Sequence, residues 1–342
     1  MTEIPEANLW RSADVDGIDA FAVDLAREGL APLEEDARRL VDSGRAAETV
    51  TAAEIDIGSL GPALDRLRDE LLAGRGIALV RGFAVDRLTP AELEVVFWRI
   101  GLHLGRPVSQ SVMGERLGHV TDVTDRDPHA RAYRNRNELT PHADPADMLS
   151  FLCVRGAKSG GANRFVSSLT IHEELRRARP DLLDVLYRGF RYHRFGEEGP
   201  GHTPITPHRI PVFSECEGLI SCRYVRQFIE LAVHEDPDID ITPVEREALE
   251  AFETLAARPD LHLEFTLRPG EAIFANNFTV LHARDAFEDH GDPERRRLLL
   301  RLWLSADPPR PIRPEVAIYE NGPGITPQPG REPSFPADVG VN

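Results

Sequence analysis

Between Gly76 and Trp303 the chain mixes short apolar runs with sharply capped helical stretches. Ile77 to Arg81 is an apolar run bounded by Gly76 and Gly82, and Met148 to Val154 is another. Leu261 to Leu267 alternates apolar and polar residues, as a strand buried on one face does, and Pro269-Gly270 turns the chain into Glu271 to Ala275. Arg297 to Leu304 also has period two. Arg297, Leu299, Arg301 and Trp303 share one face, while Leu298, Leu300, Leu302 and Leu304 share the other. Thr89-Pro90-Ala91-Glu92 is a capping box with proline at the first helical position, which predicts a helix to about His103. Thr242-Pro243-Val244-Glu245 repeats it and predicts a helix to about Ala257. Thr170-Ile171-His172-Glu173 predicts a short helix that stops before Pro180.

Many strands, few helices and irregular connections predict a β-rich α+β fold with helices packed around a sheet core. A parallel βαβ array would need regular strand–helix alternation, which is missing. Residues 1–70 alternate short apolar clusters with acidic and Ala/Arg-rich stretches and are expected to form an N-terminal helical flank. Residues 305–342 are dense in Pro and Gly, as in PPRPIRP and NGPGITPQPG, and are expected to wrap the domain without helix or sheet of their own. With a core over 76–304, the 342 residues read as a single domain.

Composition narrows the function. Hydrophobic residues make up 41% of the chain, enough for a sizeable core. No stretch approaches the roughly 18 apolar residues of a membrane helix, and MTEIPEANLW lacks the basic head and apolar run of a secretory signal. The formal net charge is −17 with no basic tract, so neither nucleic acid nor a membrane is an expected partner. Cys153, Cys216 and Cys222 form no CxxC motif, which argues against a disulfide framework and fits a reducing, cytoplasmic setting.

The strongest chemical signal is Thr140-Pro141-His142-Ala143-Asp144. Residues two apart on an extended segment point the same way, so His142 and Asp144 can reach one cation. A third ligand would complete a facial triad with open positions, and His282, after EAIFANNFTVLH, is the best candidate among 12 histidines. An HxD triplet alone is common by chance. The Arg297/Arg301 face strengthens it, because arginines buried between strands need an anion, and a guanidinium fork suits a dicarboxylate. An exposed strand face with solvated arginines is the plainer alternative. Gly160-Gly161 is a turn that could carry Asn163 toward such an anion.

The order HAD (142–144), KSGGANRFVSS (158–168), NNFTVLHARDAFED (276–289) and RRRLLLR (295–301) resembles the taurine dioxygenase and clavaminate synthase superfamily from about Gly76 to Trp303. LGRPVSQ (104–110) and GHVTD (118–122) match a broad subgroup of it. The resemblance implies a double-stranded β-helix, or jelly roll, in which His142, Asp144 and His282 hold Fe(II). It implies an oxygenase that consumes 2-oxoglutarate and O2, oxidises an unactivated C–H of a small molecule, most often by hydroxylation, and releases succinate and CO2. Arg297 corresponds to the arginine that clamps the distal carboxylate of 2-oxoglutarate. Arg301 corresponds to one that in some members binds an acidic group of the substrate. Asn163 stands where such members often carry threonine. Asp144 is intact, unlike in halogenases, which have a small residue there.

The substrate is expected to be anionic or amino-acid-like. Gln110, Tyr133, Glu138 and Tyr224 are candidate polar groups of its pocket, with Glu138 suited to an amine. His119 and Asp122 are a candidate structural pair. His193, His202 and His208 lie in a Gly/Pro-rich stretch, 191–211, that could form a lid. Two rival readings use the same residues. One is a zinc hydrolase, which has no need of the Arg297/Arg301 face. The other is a non-catalytic 2-oxoglutarate-binding protein, disfavoured because all three ligands and the clamp arginine are present.

Overall fold

The computed structural model describes residues 3–54, 56–123, 135–320 and 322–331. Among them, one sheet has seven strands: β1 (Ala22–Asp24), β2 (Ile77–Arg81), β3 (Arg106–Pro107), β4 (Leu117–Val120), β6 (Met148–Arg155), β12 (Glu271–Asn276) and β15 (Leu298–Ser305). Its order is β1-β2-β12-β6-β15-β3, with β4 also beside β15. A second sheet runs β11 (His262–Phe265), β8 (Asn163–Ser167), β13 (Val280–Arg284), β5 (Leu139–His142). Two small ladders join β7 (Ser159–Gly160) to β14 (Phe287–Glu288) and β9 (Phe213–Cys216) to β10 (Leu219–Cys222). Every pairing is antiparallel except β1 with β2. The helices are α1 (Leu25–Glu28), α2 (Ala31–Asp42), α3 (Gly61–Leu72), α4 (Pro90–Leu104), α5 (Ser168–Ala178), α6 (Pro180–Arg188), α7 (Arg226–Glu235) and α8 (Pro243–Ala256).

Period two explains how the layers separate. Leu79, Leu149, Ile273 and Leu299 of the large sheet share a core with Phe165, Val166 and Leu281 of the smaller one. The alternate residues Val80, Phe274, Leu300, Leu302 and Leu304 belong to a second core with Leu64 and Leu67 of α3 and Phe97 and Trp98 of α4. β15 is therefore buried on both faces. Each leucine is worth about 1.5–3 kcal/mol of burial, and a one-residue slip would drive Arg301 and Trp303 into the helical layer. The predicted fold class is borne out at the level of a sheet-rich α+β molecule with surrounding helices.

α4 and α8 start at the predicted boxes, with both reciprocal bonds formed at Thr89/Glu92 and Thr242/Glu245. α5 differs. Its cap is Ser167, whose Oγ accepts from the Thr170 amide at 3.1 Å, because β8 runs directly into the helix. Thr170 lies inside the first turn and donates its hydroxyl to the Trp10 carbonyl. The N-terminal flank contains α2 and α3 but also supplies β1 as an edge strand, which three residues without alternation did not announce. Beyond Ser305 the described tail has a single 3-10 turn, Pro314–Val316. Among the described residues no helix is long and apolar enough to cross a membrane. The three cysteines form no disulfide, and burial pushes the Cys153 and Cys222 thiols up to about 12.

Candidate active site

His142 ends β5 and sits directly across the ladder from His282 on β13. Their ring centroids lie 4.2 Å apart. Asp144 follows β5 by two residues and meets both: His142 Nε2 is 3.8 Å from Oδ1, and His282 Nε2 is 3.8 Å from Oδ2. One donor atom from each residue falls within 4.8 Å of the others. The His142 Nδ1 lies 2.8 Å from the Thr140 carbonyl, which fixes Nδ1–H as a donor and leaves Nε2 as the ligand atom. His282 is packed by Phe165, its cross-strand neighbour, and Phe151. Burial, then the neighbouring His142, press the His282 pKa to about 3, so the ring is neutral as a metal ligand must be.

Asp144 is held at three points. Its amide donates to Asn277 Oδ1 at 3.1 Å, its carbonyl accepts from the Arg223 guanidinium, and its Oδ2 accepts from the Trp303 indole N–H at 2.7 Å. Burial alone would raise its carboxyl. The Arg301 charge and the Trp303 bond oppose burial, and the carboxyl is held below the usual carboxylate range.

Two connected cavities meet at these ligands, and both are lined by Leu139, His142, Asp144 and Arg301. The inner one, about 40 Å³, adds Asn163, His282, Arg284 and Arg297. Arg297 is 5% exposed, its Nη1 has no partner, and burial lowers its pKa. The outer cavity, about 130 Å³, is walled by Phe195, Phe228, Trp303, Tyr319 and Ile325, with Arg226 and Gln227 also at its edge. Phe195 comes from the 191–211 stretch and Tyr319 and Ile325 from the tail. The two are clasped by Arg194 on Glu320 at 2.8 Å and Arg331 on Glu198 at 2.6 Å.

Not every candidate residue reaches the cavities. Gln110 is fully buried behind Arg301: its Oε1 accepts from Arg301 Nε at 2.5 Å, and its Nε2 donates to the Arg301 and Arg116 carbonyls. Gly118 leaves it room, since a Cβ there would stand 2.7 Å from Gln110 Oε1. Glu138 is exposed and faces Arg164 at 2.6 Å. The Tyr224 hydroxyl points away to Glu253 at 2.7 Å, while the backbone carbonyl of Tyr224 holds the Ala143 amide. These three side chains therefore correct the expected pocket lining, because each has a protein partner that fixes it elsewhere. Tyr133 lies outside the described residues. His119 bonds Glu94 near the surface, apart from buried Asp122. His193, His202 and His208 go separately to Glu235, Glu320 and the Glu315 carbonyl. Arg284, Trp303 and Asn277 were given no role from sequence. For the first two the signal was present, since Arg284 lies two residues past His282 and Trp303 two past Arg301 on alternating strands.

FR-33289 synthase from Streptomyces rubellomurinus is 29% identical over 325 residues, covering 92% of this chain and 94% of that protein. A taurine hydroxylase-like protein, SAT17, from Stachybotrys chartarum is 26% identical over 304 residues, 86% of this chain and 77% of that one. Among solved structures, asparagine oxygenase with Fe(II), 3-hydroxyasparagine and succinate superposes with a TM-score of 0.58 at 18% identity, covering 83% of this chain and 93% of that one. The non-heme iron oxygenase OrfP with Fe and alpha-ketoglutaric acid gives 0.59 at 16%, with the same coverage. Residues 42–303, well over half of the sequence, match the taurine catabolism dioxygenase TauD, TfdA family, and the chain belongs to it.

Proposed function

We propose that the protein is an Fe(II)- and 2-oxoglutarate-dependent dioxygenase that oxidises, most often hydroxylates, an unactivated C–H of a small anionic or amino-acid-like molecule. The observation that carries this is the His142/Asp144/His282 cluster placed beside a buried guanidinium, Arg297, whose Nη1 has no protein partner. Two imidazoles and one carboxylate fit Fe(II) and leave open positions. A 2-oxo dicarboxylate fits the inner cavity, with its distal end at Arg297. In this reading the two facing sheets form the double-stranded β-helix of an oxygenase core over 76–304.

When bound, iron, 2-oxoglutarate and O2 supply an oxidant for hydrogen-atom abstraction, with succinate and CO2 released. The protein's part is positioning. Trp303, Asn277 and Arg223 hold Asp144, Thr140 orients His142, and Phe151 and Phe165 keep the inner site apolar around His282. The outer cavity fits the substrate. Arg301, locked by Gln110, can meet an acidic group there, and Phe195, Phe228 and Tyr319 exclude water from the target carbon. An amino-acid-like substrate is supported by the hydroxylated amino acids bound in the complexes of asparagine oxygenase and OrfP, the latter with (3S)-hydroxy-L-Arg.

The test is aerobic incubation with Fe(II), 2-oxoglutarate and a panel of small carboxylates, sulfonates, phosphonates and amino acids. Succinate formed in step with a product carrying one added oxygen supports the proposal. Absence of succinate above background across the panel contradicts it.

A further inference from the structure

The proposed function gives the distal carboxylate of the cosubstrate one cation, Arg297. Besides Arg301, another guanidinium lines the same cavity. Arg284 is two residues past His282 on β13, so its side chain shares the inward face, and its cross-strand partner is Asn163. It is 5% exposed, as Arg297 is. Both guanidiniums pack on one ring, Phe287, with their Cζ atoms 4.9 and 5.0 Å from its centroid.

Phe287 is set in place by the Gly160-Gly161 turn. Both glycines have positive φ, +74° and +71°, and a Cβ on Gly160 would lie 2.5 Å from the Ala286 carbonyl oxygen. The close approach of β7 to β14 thus sets the ring against both arginines.

Neither cation is satisfied by the protein. Arg284 gives Nη2 to the Asn137 carbonyl, but its Nε has no partner, and neither does Arg297 Nη1. Among the described residues, no carboxylate forms an ion pair with either. Asp289, whose charge bears on Arg297, accepts the Arg297 and His290 amides through Oδ1. Two like charges buried side by side are costly unless an anion joins them. A single carboxylate has lone pairs enough for both forks.

We propose that Arg284 and Arg297, both packed on Phe287, form a two-guanidinium clamp for the distal carboxylate of the 2-oxo dicarboxylate bound at the metal. This rests on the function proposed above. It makes Arg284 a cosubstrate-binding residue that acts alongside the Asn163 position.

The test uses the full chain loaded with Co(II), which binds without turnover, and compares 2-oxoglutarate with 2-oxobutyrate by calorimetry. 2-Oxobutyrate keeps the chelating end but lacks the distal carboxylate. In Arg284→Gln, 2-oxoglutarate affinity is expected to fall about ten-fold or more, while 2-oxobutyrate stays within about two-fold, because only a charge-assisted pair to the distal end is lost. Unchanged 2-oxoglutarate binding, or equal losses for both ligands, overturns the clamp and leaves Arg284 as a strut. Should R284Q fail to fold, R284K decides. It keeps the charge but not the fork, so about three-fold weaker 2-oxoglutarate binding with 2-oxobutyrate unchanged supports the clamp, and wild-type affinity overturns it. If the wild-type protein binds neither oxo acid, the function proposal itself fails, a result distinct from all of these.

Discussion

The indole N–H of Trp303 donates to Asp144 Oδ2 at 2.7 Å, in the interior, across 159 positions of chain. This bond occupies one carboxylate oxygen and leaves Oδ1 for the metal. Trp303→Phe keeps the ring and removes the donor. A hydrogen bond to a charged group is worth about 1.5–3 kcal/mol, so metal affinity is expected to fall about ten-fold or more, with little change in melting temperature when metal is absent. Titration of the apoprotein with Co(II) reads it directly, and affinity equal to wild type would show that the bond does not shape the ligand.

Gln110 and Arg301 form a second such pair, joined at 2.5 Å and again through the Arg301 carbonyl at 3.0 Å. Gln110→Leu leaves buried partners unsatisfied at a cost of about 1–3 kcal/mol each. The expected result is a lower melting temperature and a KM for the acidic substrate raised about ten-fold, since the freed guanidinium no longer holds one geometry. 2-Oxoglutarate affinity, which depends on the inner cavity, stays within about two-fold. A loss of 2-oxoglutarate affinity instead would mean that Arg301 serves the cosubstrate.

Glu138 looked suited to a substrate amine but faces Arg164 at the surface. Exposed ion pairs contribute about 0–1 kcal/mol. Glu138→Gln is therefore expected to leave kcat, KM and melting temperature near wild type. A large rise in KM for amine-bearing substrates alone would restore the amine-binding role.

His172, remote from the site, is buried and bonded to the Tyr187 hydroxyl at 2.9 Å. Burial lowers its pKa from 6.5 to about 4; Glu173 and Glu215 oppose this, and Arg176 adds to it. The unfolded chain thus takes up a proton in the window where the folded one does not. Stability contributed by neutral His172 is complete above about pH 6.5 and is lost as pH falls toward 4, on the order of 3 kcal/mol in all. Denaturant titrations at pH 7 and pH 4.5 should show a smaller drop for His172→Gln than for wild type. Parallel drops would contradict the assignment.

The parts most legible in sequence were those set by local rules. β2 and β15 follow their apolar runs and period, and α4 and α8 begin at their capping boxes, because strand alternation and cap chemistry act within a few residues. The three proposed metal ligands were also readable, since HxD geometry is local and His282 pairs with it across one ladder. The pocket walls were not. Phe195, Tyr319 and Ile325 come from irregular segments whose positions depend on long-range bonds such as Arg194 with Glu320, and no periodicity marks them. Tyr224 and Gln110 misled for a related reason: a polar side chain in an apolar context marks burial, but not whether its partner is a ligand or another part of the protein.

The central claim is most directly tested by anaerobic titration of the apoprotein with Fe(II) and then 2-oxoglutarate. The account predicts a weak visible charge-transfer band that appears only when both are present and is lost in Asp144→Ala. No band under these conditions, together with tight zinc binding and hydrolytic activity, would contradict it.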